Sequence, residues 1–233
     1  MDQGAIAEAL ATLDGQAEFG AHRFDPNGAA LAGRAVVLPS AFNPPTVAHL
    51  RLLELAAAAT GAAHRIALLT SRNVDKGLYG ATLGDRIGML LAARAGGAEL
   101  AIVATNAARF IDQATALRGA YPAASFDFVA GHDTLVRIFE RKYYDAMEAE
   151  LEPFFAEHRL VVSNRGAVGL AEIERFVAGS AAAFRDRILL AELDPESAAV
   201  SSSQARQGVA SAGVPTGLPP AVSEYIARNS LYR

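Results

Sequence analysis

Short runs of almost purely apolar residues recur along the chain and predict β-strands. These runs cover residues 35–39, 65–70, 100–104, 125–130, 159–163 and 187–191. They lack the alternation of apolar and polar residues that a half-exposed strand shows. We therefore expect the strands to be buried on both faces, as in a parallel sheet.

Longer stretches with helical character lie between these runs. They cover 47–60, 83–94, 110–118, 143–157 and 170–184, and the C-terminal tail adds 202–211 and 220–229. Strands and helices that alternate in this way predict an α/β protein, with a Rossmann-like, doubly wound parallel sheet of five to six strands and C-terminal helices. Residues 1–33 are predicted to form an N-terminal extension of a helix and a loop, and 34–233 a single domain.

Ligands of such open sheets bind beyond the carboxyl ends of the strands, so the loops that follow the strands are the place to search for a site. Three common fingerprints are missing from these loops. There is no G-x-G-x-x-G after the first strand, no G-x-x-x-x-G-K-[ST] and no G-x-S-x-G. Their absence disfavours a dinucleotide dehydrogenase, a P-loop NTPase and an α/β-hydrolase.

Composition and charge narrow the function further. The 233 residues carry a net charge of −4, which argues against a nucleic-acid-binding protein. The sequence contains no cysteine, which excludes disulfides, a thiolate nucleophile and cysteine-bound zinc. Neither a signal peptide nor a membrane-spanning stretch is apparent, so we expect a cytoplasmic protein without a membrane partner. Lys76 and Lys142 are its two lysines.

The loop between the first predicted strand and its helix carries the clearest chemical signal. Residues 40–50 read S-A-F-N-P-P-T-V-A-H-L. Asn43 suits a helix N-cap, and Thr46 and His49 then lie three residues apart on one face of the first turn. A helix N-terminus attracts phosphate, and a histidine there can donate hydrogen bonds to phosphoryl oxygens. The pattern predicts a phosphate site.

This string resembles the [HT]-x-x-H signature of the nucleotidylyltransferase superfamily, and in particular the opening of the nicotinamide/nicotinate mononucleotide adenylyltransferases. Three later blocks are similar to segments of that family. They are F-V-A-G-H-D-T-L at 128–135, V-S-S-S-Q-A-R at 200–206 and P-P-A-V-S-E-Y-I-A-R-N-S-L-Y at 219–232. The resemblance spans roughly residues 34–232 and implies that 34–233 is a nucleotidylyltransferase domain.

The resemblance implies roles for particular residues. The expected catalytic residues are His49, Thr46, Arg206 and Lys76. The expected nucleotide-binding residues are Ser40, Ala41, Phe42, Gly131, Asp133, Ser201, Ser202 and Ser203. The expected contacts to the second substrate are Thr82, Asn106, Tyr144 and Arg165. No protein ligand to a metal is expected, and Mg²⁺ would accompany ATP.

The chain also departs from the family pattern. Ser40 stands where the family has a glycine, and the chain contains no tryptophan, whereas relatives commonly stack the pyridine ring on aromatic residues that include tryptophan. Either Tyr143 or Tyr144, with the family's spacing favouring Tyr144, and the segment 106–110 are the candidates to replace them. Phe110 is the aromatic residue of that segment.

The implied function is transfer of AMP from ATP to a pyridine mononucleotide, with ATP and that mononucleotide as partners and a homo-oligomer as a possible assembly. Two alternatives stay open. One is a nucleotidylyltransferase with another acceptor, of the phosphopantetheine or cytidylyl type. The other is a non-catalytic protein that binds nucleotides.

Overall fold

A computed structural model of the protein describes residues 1–24, 30–71, 80–164, 166, 168–211 and 216–233. Within them, seven strands form one sheet. They are β1 (Ala21–Arg23), β2 (Gly33–Pro39), β3 (His64–Thr70), β4 (Ala101–Thr105), β5 (Ala124–Gly131), β6 (Leu160–Ser163) and β7 (Ile188–Ala191). The spatial order is β1-β4-β3-β2-β5-β6-β7. All neighbours are parallel except β1, which pairs antiparallel with β4.

The six predicted strands are confirmed, each within a residue or two of its predicted ends. The seventh strand, β1, lies inside the segment 1–33, where a helix and a loop were expected. Its three residues, Ala-His-Arg, are too few and too polar to stand out as a strand. It forms because the edge of β4 offers unpaired backbone groups, with Ala21 opposite Thr105.

Helices cover both faces of the sheet. They are α1 (Gln3–Asp14), α2 (Val47–Thr60), α3 (Leu83–Ala95), α4 (Phe110–Ala120), α5 (His132–Ile138), α6 (Met147–Glu157), α7 (Leu170–Gly179), α8 (Pro195–Ala199), α9 (Ser202–Ala210) and α10 (Pro220–Arg228). The short helices α5 and α8 were not predicted. The helices predicted at 143–157 and 170–184 are shorter than expected, since a 3-10 turn occupies Arg141–Tyr143 and another occupies Ala182–Arg187.

Alternate residues of the central strands enter two different cores, which explains their purely apolar sequences. Val36 packs in the core beneath α1, α2 and α3, whereas Val37 packs in the core beneath α4, α5, α6 and α7. A third, smaller core joins α3 to α10 and the C-terminal residues, including Tyr232. No helix among the described residues is long and apolar enough to span a membrane.

The topology fixes where a ligand binds. From β2 the chain passes outward to β3 and β4, and it then returns to β5 on the other side of β2. The strand order therefore reverses between β2 and β5. In open α/β sheets, the carboxyl ends of the strands at such a reversal border the ligand crevice.

Candidate functional site

A cavity of about 340 Å³ opens at this reversal point. Its lining residues come from the carboxyl ends of β2, β5 and β6, from the beginnings of α2 and α5, and from the segments that follow β2, β6 and β7. The polar lining residues are Ser40, His49, His132, Asp133, Thr134, Ser163 and Asn164. A concave cavity in which several polar groups converge is the usual form of a small-molecule site.

His49 occupies a fixed position in the first turn of α2. Its Nδ1 accepts a hydrogen bond from the backbone N–H of Thr46 at 3.0 Å, and the Thr46 hydroxyl lies 2.7 Å from the same nitrogen. Because Nδ1 accepts from the backbone, the proton of the neutral ring resides on Nε2. Thr46 is only 1% exposed, so it acts on the ring and not directly in the cavity.

The Nε2 atom of His49 lies 3.2 Å from the Ser40 hydroxyl, and both residues line the cavity. With the proton on Nε2, the histidine donates to the serine oxygen, and the serine proton is then available to another acceptor. Ser40 stands where the resembled family has a glycine. Its hydroxyl is therefore a hydrogen-bond donor beside the Nε2–H donor of His49.

The loop before α2 departs from its predicted conformation. The expected N-cap was Asn43, but the helix begins at Val47 and Thr46 is its N-cap. Phe42 adopts φ of +43° and is buried in the core, where its ring lies 5.0 Å from the His49 ring. The Phe42 ring thus packs against the His49 ring. Neither Phe42 nor Ala41 lines the cavity.

Three residues from the C-terminal part of the chain fasten this loop. Arg206 donates to the Asn43 carbonyl at 2.5 Å, and the Ser202 hydroxyl donates to the Pro44 carbonyl at 2.8 Å. The Tyr232 hydroxyl donates to the Asn43 side-chain oxygen at 2.6 Å. The motif near 200–206 and the chain end therefore meet the first motif, although more than 150 residues separate them in sequence.

The other serines of this motif shape the start of α9. Ser201 is its N-cap and accepts from the backbone N–H of Gln204 at 3.2 Å. Ser203 accepts a hydrogen bond from the Arg206 guanidinium at 3.1 Å. The structure thus brings Ser201, Ser202, Ser203 and Arg206 to one helix end beside the Asn43 carbonyl.

Positive charge concentrates on this side of the loop. Arg86 lies close enough to Arg206 and Tyr232 to interact with both electrostatically. Burial, followed by the charge of Arg206, lowers the pKa of Arg86, and burial raises the pKa of Tyr232. The phenol therefore stays neutral and can donate its proton to Asn43, while the two guanidinium groups attract anions.

Replacing Tyr232 by phenylalanine should lower Tm by about 2–4 °C. The variant loses one part-buried hydrogen bond, worth about 1 kcal/mol, and this corresponds to a few degrees in a chain of this length. Thermal unfolding followed by circular dichroism measures the change. Tyr143→Phe is the control, since that side chain is 56% exposed and should leave Tm unaltered. An equal Tm for both variants would show that the Asn43 contact contributes nothing.

Gly131 and Asp133 enter the site from the end of β5. Gly131 is the N-cap of α5 and has an ordinary φ of −81°. A Cβ atom built on it would meet no protein atom within 4 Å, and it lines the cavity, so its missing side chain leaves room there. Asp133 lies exposed in the first turn of α5 and also lines the cavity.

Three residues expected to contact the second substrate lie away from the cavity. Thr82 caps α3, where its hydroxyl and N–H both donate to Asp85. Asn106 is buried and bonds to the N-terminal segment, and the Tyr144 hydroxyl donates to the Ile138 carbonyl at 2.7 Å. These contacts give each side chain a structural role, and their contact with a substrate stays a prediction.

Two further predicted site residues, Lys76 and Arg165, lie outside the described residues. Within the part of the chain that is described, no group of three or more histidines and carboxylates could hold a metal ion.

Asn164 was not among the residues expected to form the site. Its side-chain amide donates to the Leu193 carbonyl at 3.1 Å and accepts from the Leu193 N–H at 2.7 Å, which links the segments that follow β6 and β7. Both residues line the cavity. The rule that the loops after strands form the site pointed to this loop, but it could not distinguish Asn164 from its neighbour Arg165.

Comparison with known proteins finds a family and several relatives that this chain resembles. A sequence model of the family described as cytidylyltransferase-like matches residues 37–208, well over half of the chain. A Schizosaccharomyces pombe protein, provisionally named nicotinamide mononucleotide adenylyltransferase, is 29% identical over 137 residues. That match covers 57% of this chain and 54% of the relative, so the chain spans about half the length of this curated relative.

Solved structures share the fold. Plasmodium falciparum nicotinic acid mononucleotide adenylyltransferase complexed with NaAD superimposes with a TM-score of 0.64 at 16% identity, covering 86% of this chain and 97% of that one. The same enzyme complexed with APC gives a TM-score of 0.60 at 16% identity, covering 85% and 96%. At this level of identity the likeness shows a common fold, and the Rossmann-like architecture predicted from the sequence is confirmed.

Proposed function

Because the chain belongs to the cytidylyltransferase-like family, we propose that it transfers AMP from ATP to a pyridine mononucleotide, nicotinamide or nicotinate mononucleotide. The products are the corresponding dinucleotide and pyrophosphate. The observation that carries the proposal is His49, which lines the cavity at the strand-order reversal while its Nδ1 is held by Thr46. The relative from S. pombe and the structural neighbours named for this activity favour the pyridine acceptor.

The proposed reaction is a single in-line displacement. An oxygen of the acceptor 5′-phosphate attacks the α-phosphorus of ATP, and a new P–O bond forms. The bond between the α-phosphorus and the bridging α–β oxygen breaks, and pyrophosphate leaves with that oxygen and its electron pair. No side chain becomes covalently modified, so the rate comes from positioning and from stabilisation of charge.

His49 is proposed to donate its Nε2 proton in a hydrogen bond to a non-bridging oxygen of the α-phosphate, with Ser40 as a second donor. Thr46 holds the histidine in the donating tautomer. Arg206 and Lys76 are proposed to bind the β- and γ-phosphates, where their charge balances that of the departing pyrophosphate.

The cavity is proposed to receive the adenosine. Asp133, exposed on its rim, would accept hydrogen bonds from the ribose hydroxyls, and Gly131 leaves room for the sugar. The backbone of Ala41 and Phe42 would contribute to the phosphate site, and the start of α9 at Ser201–Ser203 would face the triphosphate.

Mg²⁺ is proposed to enter with ATP, coordinated by phosphate oxygens and water, in keeping with its preference for oxygen ligands and retained waters. The described residues supply no carboxylate cluster that would hold the ion by itself. Action in the cytoplasm and self-association stay predictions.

Product analysis tests the proposal. Purified protein is incubated with Mg²⁺, ATP and one acceptor at a time: nicotinamide mononucleotide, nicotinate mononucleotide or phosphopantetheine. CTP replaces ATP in a parallel series. We expect dinucleotide and equimolar pyrophosphate with ATP and at least one pyridine mononucleotide. Turnover with another acceptor or with CTP alone would replace the proposed function by the first alternative, and binding of ATP without turnover by the second.

A further inference from the structure

His158 is buried at the end of the sheet opposite the candidate site. It is the C-cap of α6, it lies two residues before β6 begins at Leu160, and it is only 4% exposed. The proposed transfer uses the carboxyl ends of the strands, whereas His158 precedes the amino end of β6. The burial of this histidine therefore has a cause other than the proposed reaction.

One ring nitrogen of His158 extends the hydrogen bonding of β5. Its Nδ1 atom lies 2.8 Å from the Phe126 carbonyl oxygen, and because a carbonyl oxygen only accepts, Nδ1 carries the proton. Phe128, two residues further along β5, donates its backbone N–H to the Arg159 carbonyl and pairs with Leu160 of β6. Alternate residues of a strand direct their backbone groups to the same neighbour, so Phe126 also faces the side of β6. Since β6 begins opposite Phe128, the imidazole supplies the donor that β6 does not provide at Phe126.

The other ring nitrogen of His158 lies among aromatic side chains. With the proton on Nδ1, the Nε2 atom of the neutral ring carries a lone pair. Among the described residues, no polar group lies within hydrogen-bond distance of Nε2, and the atom is buried. The Phe128 ring centroid lies 5.6 Å from that of the imidazole, and the Phe154 ring centroid lies 5.1 Å from it. A proton added to Nε2 would therefore create a buried cation with an unpaired N–H, which is unfavourable.

The charged groups around His158 are already paired with one another. Two carboxylates lie close enough to act on the ring, and each has an arginine partner. The pairs are Asp127 of β5 with Arg34 and Arg159, and Glu157 of α6 with Arg118 of α4. None of these groups bonds to Nε2. Burial is the largest influence on the ring, and it lowers the pKa of His158 below the ordinary value of histidine.

We propose that His158 is an acid-sensitive latch, whose neutral ring fastens the junction of α6 and β6 to β5 and whose protonation favours the unfolded over the folded chain. A histidine in an unfolded chain takes up a proton with a pKa of about 6.5. His158 in the folded chain stays neutral to a lower pH, because its Nε2 is buried without a partner among the described residues. As the pH falls through 6.5, the unfolded chain binds more protons than the folded chain, and the folded chain loses stability. This device does not depend on the proposed transfer or on its acceptor.

Nuclear magnetic resonance of the ¹⁵N-labelled full chain tests the protonation state of the ring directly. The two ring nitrogens have different chemical shifts in each neutral tautomer and in the charged ring, and contacts with the Phe128 and Phe154 rings assign the signals to His158. At about pH 5.5, a histidine in an unfolded chain is mostly charged. In the folded chain at this pH we expect a neutral His158 ring with its proton on Nδ1. A folded chain whose His158 ring carries protons on both nitrogens would overturn the proposal.

Urea unfolding at about pH 7.5 and about pH 5.5 tests the consequence for stability. His158→Asn keeps an N–H donor near the position of Nδ1, cannot titrate, and shares every other titrating group with the wild type. Between these pH values, the unfolding equilibrium constant of the wild type should rise by up to about tenfold more than that of His158→Asn, because the unfolded chain alone binds the additional proton. His158→Phe also cannot titrate and should show the same pH dependence as His158→Asn. Equal pH dependence in the wild type and both variants would overturn the latch. The resonance measurement uses the wild-type chain, so it decides the proposal even if neither variant folds.

Discussion

Replacing His49 by alanine should lower kcat about 10²–10³-fold, because removal of one well-placed donor to a developing charge costs ~3–4 kcal/mol of barrier. The fold should survive, since the histidine is only half-buried and lies at the start of a helix. The Thr46 N–H loses its partner on Nδ1, so Tm should fall by no more than about 2–4 °C. Steady-state kinetics of pyrophosphate release and thermal unfolding provide the two measurements.

His64→Ala is the matched control. His64 lies at the start of β3, at the opposite edge of the sheet, and its Nε2 contacts the Ala32 carbonyl at 2.9 Å. This variant should retain wild-type kcat. If His49→Ala turned over at the wild-type rate, the assignment of the histidine to the α-phosphate would be wrong.

Replacing Gly131 by valine should raise KM for ATP about 10- to 100-fold. Apart from its chain neighbours, no protein atom lies within 4 Å of a Cβ built at Gly131, so we expect the side chain to occupy the cavity and exclude the nucleotide. Overfilling a packed site typically costs about 1–3 kcal/mol, and each 1.4 kcal/mol is a tenfold change in affinity. Initial rates at varied ATP measure the effect, with Tm recorded in parallel.

Gly169→Val is the control for Gly131→Val. It separates the effect of filling the cavity from the effect of replacing a glycine at a helix N-cap. Gly169 is the N-cap of α7, has nearly the same backbone angles as Gly131, and also has open space at its Cβ position. Both substitutions should change Tm to a similar, small extent. A rise in KM for ATP of the same size in the two variants would contradict a role for Gly131 in the nucleotide site.

The central sheet could be predicted because its strands are buried on both faces. Residues such as Val36 and Val37 enter different cores, so every position is apolar and the run is visible in the sequence. The edge strand β1 could not be predicted in this way. Its pairing depends on β4, which lies some 80 residues further along the chain.

Part of the site could be predicted because its residues lie close together in the sequence. The string around His49 is local, and a capping interaction within four residues sets the orientation of the ring. The conformation of the preceding loop is set by distant residues. The Tyr232 hydroxyl donates to the Asn43 side-chain oxygen, and Arg206 donates to the Asn43 carbonyl. The N-cap of α2 is Thr46. No local propensity at Asn43 carries that information.

Asn106 shows how contacts that are distant in the sequence escape prediction. The loop after β4 is predicted to meet the second substrate, and in the structure a segment close to the N-terminus contacts the Asn106 amide. The contact depends on residues 13–20, and nothing in the motif around Asn106 indicates them.

The fate of the ATP phosphates tests the central claim most directly. Protein, Mg²⁺ and a pyridine mononucleotide are incubated with ATP labelled with ³²P at the α-position in one reaction and at the γ-position in another. Adenylyl transfer predicts that the α-label appears in the dinucleotide and the γ-label in pyrophosphate. The account would be contradicted if the γ-label appeared in the acceptor or in inorganic phosphate while the α-label stayed in an adenine mononucleotide.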